Sequence, residues 1–269
     1  MANATGRQYP VGLRYGSAFQ LNSDALPMAP NTTVYEGLQF KGAKAWELTV
    51  PTPRVIVHTG DDRVQATDYL PSLDAATGIL RISRYDLGIN SILMNVNSFF
   101  IGEAQSMPWW TDQQGEEADV ALFLYQQSLE GTNKIRNWRS FLIPSARAIA
   151  TPPGMTDSPQ DVVYNVAINP VSEHLWGTAL AAATEGVLEM GILEMHTEKQ
   201  PWFVAWKANG AATNFTFHAN RQAVSTAKID GVWNNGTDVS GTVTKATTGI
   251  TFGVAPTLNN IICCLYELA

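Results

Sequence analysis

The feature that most constrains this chain is a recurring period-two apolar pattern, cut by turn dipeptides and almost free of sustained helical periodicity. In "KAWELTV" (44–50), Trp46, Leu48 and Val50 alternate with Glu47 and Thr49, and in "GILRISR" (78–84) Leu80 and Ile82 stand opposite Arg81 and Ser83. Side chains on a strand point to opposite faces in turn, so each such segment reads as a half-buried strand. "ADVALFLYQQS" (118–128) and "NWRSFLIPSARAIA" (137–150) are long enough for central strands, and "LEGTNKIR" between them has the composition of a hairpin loop. "DVVYNVAI" predicts another strand, and "TPPGMTDSPQ" before it a loop. "VWNNGTDV" carries the plainest hairpin signal, because Asn-Gly suits the positive φ angles of a tight two-residue turn. "NNIICCLYEL" predicts a closing strand. The regular strand–helix alternation of a doubly wound α/β sheet does not occur, so the chain is expected to be mainly β.

The exception is "YDLGINSILMN", where Leu87, Ile89, Ile92 and Leu93 approximate helical spacing. It predicts a short helix over 86–95, docked on the sheet. Residues 1–44, rich in Gly, Asn, Pro and Ala, read as an N-terminal arm or irregular lead-in. Residues 45–198 form the expected β core. Near residue 200, Glu and Leu give way to Asn, Thr and Ala, and 199–269 is expected to be a smaller β region, an added domain in one reading.

With 269 residues the chain has ample material for a core. Charged residues make up only 15%, below the usual quarter, which suggests that neighbouring subunits cover part of the surface. The net charge of −7 disfavours stable nucleic-acid binding, whose affinity comes mainly from neutralising phosphates. No apolar run approaches the ~18 residues of a membrane-spanning helix, and "MANATGRQYP" lacks the apolar core of a signal peptide. The two cysteines, Cys263 and Cys264, are adjacent in a strand-like run and point to opposite faces, so two buried free thiols are expected.

The most charged short stretch, "HTGDDRVQATDYLP" (58–71), brings together His58, Asp61, Asp62, Arg63 and Asp68. It fails a calcium loop: counting from Asp61, the sixth position is Ala66 rather than Gly and the twelfth is Ser72 rather than Glu. Adjacent carboxylates tend to diverge, and Arg63 is placed to neutralise one of them. The cluster therefore reads as a structural loop. His58, His174, His196 and His218 are widely separated and form no metal-ligand spacing. No nucleophile elbow, phosphate loop or dinucleotide fingerprint occurs, so neither catalysis nor a cofactor is expected. Trp109 and Trp110, with Trp138, Trp202, Trp206 and Trp233, suit a core or subunit contact, and a sugar platform is the alternative.

By pattern, "ELTVPTPRVIVHTGDDRVQATDYLPSLDAATGILRISRYDLGINSIL" resembles the tail tube (major tail) proteins of tailed bacteriophages. The order is a strand, a "TGDD" loop with a following "ATD-LP", a Gly-led strand, then "R-DL" opening a helix. The resemblance continues through "ALFLYQQS", "RNWRSFLIPSARAIA" and "YNVAINPVSEHLWGTAL", covering roughly residues 45–190. It implies a β-sandwich or barrel-like sheet with a flanking helix, whose sheets join between subunits into rings that stack as a tube. The implied role is a structural virion protein, assembled in the host cytoplasm and located in the tail. It would contact other tail proteins and let DNA pass without specific binding. Asp61, Asp62, Arg63, Asp68, Trp109 and Trp110 are then the expected inter-subunit contacts. A carbohydrate-binding or carbohydrate-active β-sandwich, and another virion component such as a decoration or tail-terminator protein, are the alternatives.

Overall fold

The computed structural model describes residues 8–52, 54–60, 63–70, 75–83, 87–94, 98–101, 105–108, 119–130, 135–151, 161–169 and 192–269. In chain order the first half contains β1 (Gln8–Gln20), β2 (Leu38–Lys41), β3 (Ala43–Thr49), β4 (Arg54–Gly60), β5 (Arg63–Leu70), β6 (Thr77–Ile82), α1 (Leu87–Met94), β7 (Ser98–Ile101) and β8 (Gln105–Pro108). Four longer-range elements follow: β9 (Val120–Glu130), β10 (Ile135–Thr151), β11 (Val162–Ile168) and β12 (Leu193–Thr197). The C-terminal part contains β13 (Pro201–Lys207), β14 (Asn214–Thr216), β15 (Ile229–Asn234), β16 (Thr237–Asp238), β17 (Thr244–Ala246), β18 (Gly249–Thr251) and β19 (Ile261–Glu267). The protein is mainly β, and its strands pair antiparallel in several sheets.

The largest sheet runs β2-β1-β9-β10-β11-β6-β3, with β12 added on β10. Its two terminal strands, β2 and β3, are separated in sequence only by Gly42, whose φ of +83° makes the bend that glycine tolerates without strain. β2 pairs with β1 and β3 pairs with β6, so one bent segment links both ends of the sheet and β3 comes alongside β1. The sheet therefore curls. Its inner face encloses Phe40, Leu80, Ile82, Leu122, Leu124, Ile143, Val162 and Tyr164, together with Ile89 and Leu93 of α1.

β9 explains how two cores share one sheet. Its run Val120–Tyr125 is buried throughout. Val120, Leu122 and Leu124 face the curled interior, whereas Ala121, Phe123 and Tyr125 face a second core. A strand covered on both faces needs an uninterrupted apolar run, which is what the sequence supplies. Covering the second face is the sheet β13-β19-β15-β16. Phe123 stacks on Phe203 at 4.9 Å between centroids, Tyr125 on Trp202 at 5.7 Å, and Phe19 meets Phe203 edge-on at 5.3 Å. Tyr35 and Ala205 exchange backbone hydrogen bonds of 2.8 Å across this junction. Residues beyond 199 thus share one hydrophobic cluster with β1 and β9. Within the same cluster, Trp206 meets Phe215 at 5.8 Å and Phe217 stacks on Tyr266 at 4.1 Å.

One expectation is corrected here: residues 8–20 are not an irregular lead-in but a thirteen-residue strand in the main sheet, paired with β9 over its length. Its sequence hides this, because Pro10, Gly12 and Gly16 break the alternation. Gly16 has a packing cause. Phe40 lies across it, and an added Cβ would stand 2.2 Å from that ring and 2.8 Å from the Phe123 carbonyl. Elsewhere the local signals hold. Asn235 (φ 48°) and Gly236 (φ 80°) form the tight turn between β15 and β16, and "NNIICCLYEL" yields β19, which lies between β13 and β15. Cys263 and Cys264 are both buried free thiols.

Candidate assembly surface

Among the described residues of the first half of the chain, most exposed large apolar side chains lie on β3, on the turn after it and on β4. Leu48 is 38% exposed, Val50 49%, Val55 52% and Val57 50%. β3 hydrogen-bonds to β6 along one side, and its other side has no strand partner among the described residues. Where it is not covered by β1, which comes alongside β3, such an edge presents unpaired N–H and C=O groups to any strand that can approach. Ion pairs mark its flank: Arg81 Nε to Glu47 Oε1 at 3.3 Å, and Lys44 Nζ to Asp161 Oδ1 at 2.6 Å.

Pro51 ends β3, and the chain then forms the β4–β5 hairpin, which joins no other sheet among the described residues. The register pairs Val55 with Tyr69, Val57 with Thr67 and His58 with Ala66. Period-two geometry puts Val55 and Val57 on one face and Ile56 and His58 on the other. On the second face His58 Nε2 and Asp68 Oδ2 lie 3.0 Å apart, both well exposed. One face of the hairpin thus carries the exposed Val55 and Val57, and the other the half-buried Ile56 and the exposed His58–Asp68 pair.

The structure places the expected contact residues unevenly. Asp68 is not in a loop but in β5, held by His58, because its segment pairs along Arg54–Gly60. Arg63 opens β5 opposite Gly60. Asp61, Asp62, Trp109 and Trp110 lie outside the described residues. Reasoning from the sequence missed Leu48, Val50, Val55 and Val57 as surface groups. The available signal was "RVIVH", three apolar residues in a row beside a proline-broken strand with no matching apolar run across the hairpin.

β12 offers a second edge, paired with the first half of β10 and free on its other side among the described residues. Arg139 Nε donates to Glu194 Oε1 at 2.6 Å, and His196 Nε2 lies 2.8 Å from the same oxygen. The bonded guanidinium holds the Glu194 carboxyl below its usual range. This edge carries a charged cluster, whereas β3 carries the exposed Leu48 beside its two ion pairs. Among the described tryptophans, Trp202, Trp206 and Trp233 are at most 2% exposed and belong to the core, whereas Trp46 and Trp138 are half-buried. No group of three or more His, Cys, Asp or Glu is placed to hold a metal ion among the described residues, and no described helix is long and apolar enough to cross a membrane. Comparisons with known protein families, curated proteins and solved structures return no match.

Proposed function

We propose that this chain is a structural subunit that polymerises through its β edges, and specifically a tail tube protomer whose stacked rings form a conduit for DNA. The observation that carries the reading is the exposure of Leu48, Val50, Val55 and Val57, on and after a strand with no hydrogen-bonded neighbour on one side among the described residues and on the hairpin that follows it. Apolar edges of this kind invite pairing with another chain, and a ring of subunits removes them by giving every edge a neighbour. The contact would be heterologous, because the β3 edge and the β12 edge differ in chemistry. A heterologous contact that closes by rotation makes a ring, and one that does not close makes a filament. The ordered motifs over 45–190 and the low charge fraction support the same reading. A net charge of −7 suits a channel that DNA traverses without being held. In this account the β4–β5 hairpin reaches a neighbouring copy, and no catalytic step is involved.

The test is cross-linking across a concentration series. Amine or zero-length cross-linking should give a ladder of multiples that extends well past a single ring as concentration rises. A chain that remains a monomer at the highest soluble concentration would overturn the proposal.

A further inference from the structure

A groove of about 520 Å³ lies where the loop after β1 meets the end of β13 and the start of β19. That volume falls within the roughly 300–1,000 Å³ of small-ligand sites. Buried Leu26, Pro27 and Ile261 supply its apolar lining, and Met28, 51% exposed, adds a flexible apolar side chain. None of Leu48, Val50, Val55 and Val57 lines it, so the groove is separate from the assembly surface.

Backbone strain gathers around this groove. Ala25, Asn235 and Asn259 are the described non-glycine residues with positive φ, at 54°, 48° and 70°. Asn235 and Asn259 line the groove, and Ala25 sits in the loop that walls it. Left-handed backbone is unfavourable for a residue with a Cβ, and it persists where surrounding bonds hold it, commonly at functional sites. Asparagine tolerates the conformation, but alanine has no polar side chain to compensate. Here Asn22 holds the loop: its Oδ1 accepts the N–H groups of Asp24 at 3.0 Å and Leu26 at 2.9 Å, and its carbonyl accepts the Ala25 N–H at 3.0 Å. Across the groove, the Lys207 N–H donates to the Asn31 carbonyl at 2.9 Å and the Asn259 N–H to the Ala208 carbonyl at 2.8 Å. The walls are thus fixed before any ligand arrives, which lowers the cost of binding.

Two opposite charges line these walls. Asp24 is exposed and Lys207 half-buried. Their charged groups pair neither with each other nor with any other described residue. By contrast, Arg221 is matched by Glu36 and Lys228 by Glu267. We infer that the groove binds a short zwitterionic peptide. Lys207 takes its carboxylate, Asp24 its ammonium, and the apolar lining a nonpolar side chain. Hydrogen bonds between ionised partners are about twice as strong as neutral ones, so the two ends dominate recognition. A ligand with only a carboxylate would leave Asp24 opposing it, and one with only an ammonium would leave Lys207 opposing it. The Asn259 amide both donates and accepts, which suits a peptide group between the two ends. A free amino acid carries the same two charges, and the volume favours the longer ligand.

Ligand-observed NMR titration of the full chain with leucyl-leucine, its N-acetyl form, its C-terminal amide and free leucine tests the site. Leucyl-leucine should bind about tenfold more tightly than either blocked form, the loss expected when one charge-assisted contact goes. Leucine should bind more weakly than the dipeptide; tighter binding would overturn the peptide in favour of a free amino acid. Asp24→Asn should weaken leucyl-leucine about tenfold and leave the N-acetyl form unchanged. Lys207→Met should weaken the dipeptide as much and leave the amide unchanged. The ranking of the four probes on the unaltered chain decides the matter even where a variant fails to fold. No binding of any probe, or equal binding of leucyl-leucine and both blocked forms, would overturn the assignment.

Discussion

Replacing Val55 and Val57 together by threonine separates assembly from folding. Threonine keeps the β-branched shape and strand preference, so the β4–β5 hairpin itself should persist. About half of each valine is exposed in the single chain, 52% and 50%. Fully burying a valine is worth roughly 1.5–3 kcal/mol, so covering the remaining half on assembly contributes roughly 1 kcal/mol per residue. In the variant, that gain is offset by a hydroxyl that must lose its water, at about 1 kcal/mol or more. Each swap therefore costs the contact about 1 kcal/mol and the pair about 2 kcal/mol, a roughly 30-fold weaker association. In the monomer the same positions are open to solvent, and the unfolding free energy should change by less than about 0.5 kcal/mol. Sedimentation velocity over a concentration series reads the first quantity and urea denaturation the second. If the double variant assembles at the same concentration as the parent while its stability is unchanged, the valine face is not buried in the contact and the reasoning fails.

Three further outcomes test the fold. Gly78→Ala should destabilise the protein by about 1–3 kcal/mol in chemical denaturation, since Trp46 lies over Gly78 and a new Cβ would stand 2.0 Å from its ring. Partial burial of the Asp230 carboxylate, with Glu267 close by and Lys228 and Lys245 only partly opposing, pushes it up to about 6. A folded value above the unfolded one of about 3.9 means the folded state binds the proton more tightly, so this group favours the fold increasingly as pH drops through 6 towards 4. Asp230→Asn should then raise the urea midpoint at pH 7.5 and flatten that group's pH dependence; an unchanged midpoint at pH 7.5 would count against it. Burial pushes both the Cys263 and Cys264 thiols well up, so neither should react with a thiol reagent until the chain unfolds.

What the sequence disclosed depended on whether the cause was local. The run Val120–Tyr125 declared a central strand, and Asn235-Gly236 declared its own turn, because in each case the determinant lies within a few residues. β1 stayed hidden for the opposite reason. Gly16 is required by Phe40, which stands opposite it only after β2 has paired with β1. The site was less legible still. Alternation in "KAWELTV" separates Leu48 and Val50 from their neighbours but does not say which face meets the core, and both prove substantially exposed. The acidic stretch attracted attention by its charge, whereas the apolar residues just before it, Val55 and Val57, are the ones that stand exposed among the described residues. Asp68 was legible as a residue of interest, but its strand and its bond to His58 required the hairpin register.

The central claim is that copies of this chain join edge to edge into rings that stack. Negative-stain electron microscopy of the purified protein at high concentration tests it most directly. The account predicts hollow tubes with a regular axial repeat, seen end-on as rings with a central channel. Fields of isolated single particles at every concentration, with no ring or tube, would contradict it.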